Sequence, residues 1–157
     1  MSAASIRTPE SFKVGKHKTK IEKTSATGKV VIGSLKGNIH SLGKDMVGSA
    51  LRSAGFQVVD LGVNVSPAKF VNSALEEKAQ VIAISVSVSE TVPFLKDVVD
   101  LLSKKKLADR IKIVVGGRAV SQVTCKQYGV YAFARDALDT VRIIKDLLNC
   151  WFSKDLV

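Results

Sequence analysis

The segment GNIHSLG, residues 37–43, carries a histidine, His40, in a loop bounded by two glycines. An apolar run at residues 29–35 comes before the loop and is typical of a buried parallel strand. A helical pattern at residues 43–54 comes after it and ends at Gly55. Loops that join the carboxyl end of a strand to a helix are where open α/β sheets bind ligands. Because neutral imidazole is a common metal ligand, His40 is the candidate for holding a metal there.

The other histidine and the two cysteines do not form a second site of this kind. His17 lies between Lys16 and Lys18, whose positive charges disfavour an incoming cation. The chain has only two cysteines, Cys125 and Cys150, and they lie far apart in sequence. Two such cysteines form neither a disulfide framework nor a tetrahedral zinc site. We interpret them as reduced thiols in or near helices.

Strand and helix patterns alternate five times along the chain. Strands are predicted at residues 29–35, 57–62, 81–86, 111–115 and 130–133, and helices at 43–54, 67–78, 92–105, 119–127 and 136–152. Continuous apolar strands that alternate with helices favour a parallel sheet covered on both faces. We therefore predict a three-layer, doubly wound, flavodoxin-like α/β fold with five parallel strands in the order 2-1-3-4-5. In that order the loops after strands one, three and four meet at one edge of the sheet.

Apolar residues at helical spacing identify the faces that three of the helices should bury. They are Phe70, Val71, Ala74 and Leu75 in the second helix, Phe94, Leu95, Val98, Val99 and Leu102 in the third, and Ala137, Val141, Ile144, Leu147 and Leu148 in the last. Nothing in the sequence indicates internal repeats, and 157 residues suit one domain. We place that domain at residues 28–157.

The formal net charge of +10 is uneven, because seven lysines and arginines but only two acidic residues fall within residues 1–29. We interpret residues 1–27 as a basic, partly disordered arm. Its basic residues are not interleaved with a series of aromatic residues that could stack on bases, so we do not expect nucleic acid as a partner. No apolar run approaches the roughly 18 residues of a membrane span. The sequence also has no signal-peptide core, so we expect no membrane partner and a cytoplasmic location.

Three kinds of ligand are considered for the edge where the loops meet. A nucleotide or flavin site lacks support, because the glycines at 33, 37 and 43 do not have G-x-G-x-x-G spacing and no P-loop lysine motif occurs. A phosphorylation receiver needs acidic residues at the strand ends to hold magnesium, whereas Lys36 and Asn38 follow strand one. The third kind is a cofactor whose metal takes an imidazole ligand.

Residues 37–43 resemble the Asp-x-His-x-x-Gly loop of cobalamin-binding domains. That family follows the loop with Ser-x-Leu and then Gly-Gly, and here SVS at 85–87 and GG at 116–117 stand at similar separations. The resemblance covers about residues 28–148. In detail the chain is more similar to the corrinoid proteins of methyltransferase systems than to the small subunits of carbon-skeleton mutases.

The resemblance implies that cobalamin, as methylcobalamin or a related corrinoid, binds with its own base displaced from the cobalt. Its nucleotide tail would insert between strands one and three, and His40 would become the lower cobalt ligand. Ser85 would hydrogen-bond the benzimidazole of the tail, and Gly43 would let the helix start close to it. Gly116 and Gly117 would leave room for the ring system. The other positions of the implied cofactor site are Asn38, Ile39, Ser41, Leu42, Ser87, Ser89, Thr91 and Ala134.

Two positions depart from the family's motifs. The family's aspartate is Asn38, which can accept a hydrogen bond from the ring of His40 but cannot carry charge or take up a proton. Thr91 matches the hydroxyl that supports that aspartate. We therefore expect a His40 that is oriented but less electron-donating, with ligation less coupled to proton uptake. Ser87 replaces leucine and makes one wall of the tail pocket more polar. The alternative is a domain that has lost the cofactor.

The function implied by the resemblance is that of a corrinoid carrier subunit of a methyl-transfer system, not catalytic alone. Corrinoid methyl carriers usually have a preceding helical domain that caps the upper face of the cofactor, and residues 1–27 are too short for it. We therefore expect a methyltransferase or another catalytic subunit to cover that face. The alternatives are the cobalamin-binding small subunit of an adenosylcobalamin mutase, and a non-catalytic cobalamin store, chaperone or sensor.

Overall fold

A five-stranded parallel sheet organises residues 28–154, the part of the chain that the computed structural model describes. The strands are β1 (Lys29–Ser34), β2 (Gln57–Asp60), β3 (Val81–Ser85), β4 (Lys112–Gly116) and β5 (Ala132–Phe133). The helices are α1 (Leu42–Ser53), α2 (Pro67–Glu76), α3 (Phe94–Lys104), α4 (Gln122–Tyr128) and α5 (Ala137–Lys154), and a turn of 3-10 helix, Ser89–Thr91, precedes α3. The strand order is β2-β1-β3-β4-β5, which confirms the predicted fold.

The strands are paired so that three of them end at the same level. Ser34 of β1 lies opposite Ser85 of β3, and Ser85 in turn lies opposite Gly116 of β4. The loops after these strands therefore begin side by side, which confirms the predicted meeting of the three loops. The two shorter strands, β2 and β5, form the edges of the sheet.

Successive residues of the central strands point to opposite faces of the sheet and build two apolar layers. Val31 and Ile82 lie in the layer that α2, α3 and α4 cover. Val30 and Val81 lie in the layer that α1 and α5 cover. Helices therefore cover both faces of the sheet, as the continuous apolar strands predict.

The predicted helix cores are confirmed except at their margins. The prediction that Leu75 is buried is wrong, because the residue is 47% exposed. It lines an open groove at the amino-terminal edge of the sheet, together with Trp151 and Phe152. Four further residues predicted to be buried are only half-buried, namely Phe94, Val99, Ala137 and Val141.

Several expectations concern parts of the chain away from the sheet edge. Cys125 is buried in α4 and Cys150 is exposed on α5, and both are free thiols, as predicted. Burial raises the pKa of the Cys125 thiol to about 11.

The basic arm predicted for residues 1–27, which includes His17, lies outside the described residues. None of the helices in the described part of the chain has the length and apolar character needed to cross a membrane.

Two aspartates close the amino terminus of α5. The carboxylate of Asp136 accepts the N–H of Asp139 at 2.8 Å. The buried carboxylate of Asp139 accepts the main-chain N–H of Arg135 at 3.0 Å and the guanidinium of Arg142 at 2.7 Å. The hydrogen bond from the Arg135 N–H, followed by that from Arg142, lowers the pKa of Asp139 to about 2. These bonds hold the start of α5 against the loop after β5.

Replacing Asp139 by asparagine is expected to lower the free energy of unfolding at neutral pH by about 1 to 3 kcal/mol, because hydrogen bonds to a charged acceptor are lost. A carboxyl whose pKa is lowered by folding stabilises the protein above its unfolded pKa of about 4. That contribution disappears as the pH falls towards about 2, so the stabilities of the parent and Asp139→Asn should converge there. Urea unfolding at several pH values measures the difference.

The control is Asp146→Asn, which alters an exposed ion pair with Arg142 on the same helix. It should change the free energy of unfolding by less than about 0.5 kcal/mol. A stability gap between the parent and Asp139→Asn that stays constant from neutral to acidic pH would contradict the assigned role.

Candidate functional site

A cavity of about 430 Å³ opens where β1, β3 and β4 end, on the side of the sheet that α1 and α5 cover. Ile32, Ala83 and Val114 of the three central strands form part of its wall and make it largely apolar. The first turns of α1 and α5 contribute further lining residues. A concave, mostly apolar site with a few polar groups is typical of small-molecule and cofactor sites.

Most of the residues predicted for the cofactor site line this cavity. They are His40, Leu42, Gly43, Ser85, Ser87, Gly116, Gly117 and Ala134. The predicted residues that do not line it are Asn38, Ile39, Ser41, Ser89 and Thr91. Of these, Asn38 and Thr91 are buried, whereas the other three are exposed. The structure therefore brings the three sequence motifs together at one cavity.

The loop that carries His40 is held through its main chain. The side-chain oxygen of Asn38 accepts the N–H of His40 at 3.1 Å, and the hydroxyl of Ser34 donates to the carbonyl oxygen of His40 at 2.8 Å. Asn38 and Ser34 are both fully buried, so water does not compete for these bonds. The sequence motifs miss Ser34, although a hydroxyl at the end of an apolar strand is a sign that a local partner is required.

Asn38 and Thr91 make different hydrogen bonds from those predicted. The Asn38 oxygen accepts a main-chain N–H rather than one from the imidazole, because an asparagine side chain readily reaches the backbone two residues on. The Thr91 hydroxyl donates to the carbonyl oxygen of Val88 at 2.7 Å instead of to Asn38. Threonine in a helical turn commonly makes this bond to a preceding carbonyl. Thr91 thus shapes the turn after β3, with its methyl group close against Gly37.

Lys44 in the first turn of α1 is a cavity residue that the sequence motifs do not identify. It is only 4% exposed, and its ammonium group contacts the carboxylate of Asp60 at 2.7 Å and that of Asp45. Burial opposes the charge, but the hydrogen bonds to Asp45 and Asp60 outweigh it and raise the pKa of Lys44. The hydrogen bond from Lys44 in turn lowers the pKa of Asp45. The charged Lys44 ties the start of α1 to the end of β2.

Gly117 lets the loop after β4 pass directly against the chain that leaves β3. Its φ is +119°, and a Cβ atom at this position would overlap the backbone of Val86. At Gly116 a Cβ atom would lie 3.1 Å from the carbonyl oxygen of Ala134, a tight contact but not an overlap. The resemblance explains both glycines by room for a cofactor, whereas the structure gives Gly117 a reason within the fold itself.

Gly43 differs from Gly117 because nothing in the fold requires a glycine there. It lies in the first turn of α1, and a Cβ atom would have only the hydroxyl oxygen of Ser85 within contact range, at 3.9 Å. That hydroxyl has no hydrogen-bond partner among residues 28–154. The gap between Gly43 and Ser85 is part of the cavity. The gap itself is only about one methyl group wide, because a Cβ atom at Gly43 would already be in ordinary contact with the Ser85 hydroxyl. That hydroxyl is available to a group bound in the adjoining cavity.

Residues 28–144 match the B12 binding domain family. The chain is 34% identical over 125 residues to dimethylamine corrinoid protein 3 of Methanosarcina mazei, an alignment that covers 80% of this chain and 75% of that protein. The monomethylamine corrinoid protein of Methanosarcina barkeri superposes with a TM-score of 0.74 at 29% identity, over 78% of this chain and 59% of that one. A chain of the methanol:cobalamin methyltransferase complex MtaBC, also from Methanosarcina barkeri, superposes with a TM-score of 0.74 at 27% identity, over 79% and 47%.

The fold and the site define a cobalamin-binding α/β domain, and the chain belongs to the B12-binding domain family. Within that family it is similar to the corrinoid proteins of methyltransferase systems, as the sequence motifs predict. The cofactor is therefore cobalamin or a related corrinoid, which contains cobalt. The chain spans between about half and three quarters of the length of these relatives.

Replacing Gly117 by alanine is expected to lower the free energy of unfolding by about 3 kcal/mol or more, because left-handed strain and overlap with backbone add together. Gly62→Ala is the matched control, since φ there is +84° but a Cβ atom would meet nothing within 4 Å. It should lose only the strain, about 1 to 2 kcal/mol. Denaturant unfolding compares the two variants, and equal losses would rule out the close approach at Gly117 as the cause.

Proposed function

We propose that this chain is a corrinoid carrier of a methyl-transfer system, with His40 as the lower ligand of the cobalt. The observation that carries the proposal is that the unpartnered hydroxyl of Ser85 and the glycine beside it, Gly43, line one cavity together with His40. Glycine weakens a helix, and no neighbouring atom of the described chain requires it at position 43. A ligand in the cavity that packs against position 43 accounts for it.

The residues around the gap suit the nucleotide tail of a corrinoid. The apolar wall formed by Ile32, Ala83 and Val114 would pack against a flat aromatic base. The hydroxyl of Ser85 would hydrogen-bond a ring nitrogen of that base, and the small side chain of Ala134 would leave room on the side of β5. The donors and the shape of the cavity therefore fit the group that the family implies.

His40 is suited to the cobalt because its main chain is fixed while its imidazole is not. Asn38 and Ser34 bond its N–H and its carbonyl oxygen. Neither ring nitrogen has a hydrogen-bond partner among residues 28–154, so one is available to a metal as a neutral donor. Since Asn38 is uncharged, ligation is not coupled to proton uptake at position 38.

A bound corrinoid supplies a cobalt atom that accepts a methyl group and passes it on. The residues of this chain would enclose the tail, keep water from it and offer one imidazole to the metal. Exposed apolar side chains stand beside that imidazole, with Ile39 75% exposed and Leu42 73% exposed. They would contact the corrin edge.

We infer that a methyltransferase covers the upper face of the cofactor. The relative in the MtaBC structure belongs to a methanol:cobalamin methyltransferase complex, which supports a partner of this kind. The other relatives reported above are named for dimethylamine and monomethylamine. These names favour small methylated compounds as the source of the methyl group, and they favour a methyl carrier over a mutase subunit.

Replacing His40 by alanine should change the visible spectrum of bound cobalamin, because water or no ligand replaces the imidazole at the lower position. We expect affinity to fall by about 10-fold or more, the scale seen when groups that tune metal sites are removed. Spectra of the purified chain with added hydroxocobalamin measure both effects. His17→Ala serves as the control histidine variant and should match the parent.

The spectra separate two failures of the proposal. A parent chain that retains no cobalamin would overturn the carrier function. Retention with a spectrum that His40→Ala leaves unchanged would instead remove His40 as the ligand and leave cobalamin binding in place.

Replacing Gly43 by alanine should weaken cobalamin binding about 10-fold or more, because the added methyl group occupies the space opposite Ser85 and projects against a ligand in the cavity. The free chain should be as stable as the parent or more stable by up to about 1 kcal/mol, since alanine favours a helix. Titration with cobalamin and denaturant unfolding measure the two quantities.

Gly48→Ala is the matched control in the same helix, because a Cβ atom there would meet only the end of the Arg52 side chain. It should alter stability in the same direction and leave cobalamin affinity unchanged. Equal affinities for the parent, Gly43→Ala and Gly48→Ala would show that the tail does not pack against Gly43.

A further inference from the structure

The amide of Asn38 makes two hydrogen bonds in opposite directions. Its oxygen accepts the main-chain N–H of His40 at 3.1 Å, and its NH₂ group donates to the main-chain carbonyl of Ser85 at 3.2 Å. The identities of the partners fix the orientation of the amide, because a backbone N–H can only donate and a carbonyl can only accept. The side chain is fully buried, so neither bond can be replaced by water.

The main chain of Asn38 is also satisfied on both sides. Its N–H donates to the main-chain carbonyl oxygen of Leu35 at 2.8 Å, and its carbonyl oxygen accepts the N–H of Asn64 at 3.0 Å. Asn38 therefore links four places: the end of β1, the loop before α2, the peptide of His40 and the end of β3. Both hydrogen bonds of its side chain fall on backbone, so the link does not depend on the conformation of another side chain.

A carboxylate could not replace this amide. It could accept the His40 N–H, but its second oxygen would face the Ser85 carbonyl, which already accepts the N–H of Leu35 at 3.1 Å. An ionised oxygen held against a carbonyl oxygen in a fully buried place is strongly unfavourable. The ionised aspartate of the family motif is thus disfavoured in the geometry seen here, and only a carboxyl protonated on the oxygen that faces Ser85 could make both bonds.

We infer that Asn38 is a positioning residue whose NH₂ group, rather than its oxygen, makes asparagine the required residue. The amide clamps the backbone of His40 to the end of β3 before any ligand arrives. The imidazole is then placed by its own main chain, without a side chain bonded to the ring. The clamp in the free chain stands on the geometry alone, and its effect on cobalt rests on the proposed function.

Asn64 provides a matched comparison for this inference. Its side-chain oxygen accepts the N–H of Gly37 at 2.8 Å, and among residues 28–154 its NH₂ group has no partner. Asn64→Asp therefore keeps the bond that the native residue makes. Asn38→Asp keeps one bond, loses the other and adds charge. The two substitutions make the same chemical change near the same loop.

The first test is the thermal unfolding of the free chain at neutral pH. Asn38→Asp should unfold about 5 °C or more below the parent, and no higher than Asn38→Ala, which lacks both bonds. Asn64→Asp should stay within about 2 °C of the parent. If Asn38→Asp matched Asn64→Asp, the acceptor oxygen alone would suffice and the inference would fail.

Hydrogen exchange in the unaltered chain keeps the inference testable if the variants do not fold. The amide hydrogen of His40 should exchange at least about tenfold more slowly than that of Ile39, whose N–H has no partner among the described residues. Equal exchange rates would show that the clamp is not closed in solution.

The second test uses cobalamin and separates positioning from stability alone. Below their unfolding temperatures, Asn38→Asp should bind hydroxocobalamin about tenfold more weakly than Asn64→Asp, with a smaller fraction in the histidine-ligated spectrum. Normal binding and ligation by Asn38→Asp would reduce Asn38 to a structural residue. If the parent itself binds no cobalamin, the proposed function fails, while the unfolding and exchange results still decide whether the clamp exists.

Discussion

The level endings of β1, β3 and β4 are the constraint on which the site depends. Where parallel strands stop together, main-chain groups lose their neighbours and need other partners. The loop after β1 supplies them, because the carbonyl of Ser85 accepts both the N–H of Leu35 and the amide of Asn38. The loop that presents His40 is thus hydrogen-bonded to the edge of the sheet. The cavity lies beside this loop, in the space that the side chains of the strands and loops leave unfilled.

Two glycines on this cavity have different surroundings, and only one of them is required by the fold. The backbone of Val86 leaves no room for a side chain at Gly117, so any substitution there would disturb the protein whether or not a ligand binds. Gly43 is opposed by helix propensity, and a Cβ atom there would meet the Ser85 hydroxyl only at ordinary contact distance. A motif match treats both glycines alike, and only the surroundings of each tell a structural glycine from one that serves binding.

The fold was predictable because continuous apolar strands and amphipathic helices leave few alternatives to a covered parallel sheet. The residues that line the cavity were predictable from motifs at the ends of consecutive strands. Two of the hydrogen bonds were not, because they join residues distant in sequence: Asn38 to Ser85, and Lys44 to Asp60. Such pairs depend on the register between strands and on helix placement, which local patterns do not carry. The prediction that Leu75 is buried failed for a similar reason, since its spacing suits a buried helix face but the residue lines an open groove.

The glycine at the start of α1 also bears on how long an empty chain survives. A helix with Gly43 and Gly48 gives up about 1 kcal/mol at each relative to alanine, so the unloaded protein is less stable than its fold allows. A ligand that binds only the folded state restores stability by mass action, by about 2.7 kcal/mol at a hundred times its dissociation constant. Unloaded chains would then open more often and be the ones that proteases remove. Occupancy of the cavity would thereby lengthen the life of the folded chain.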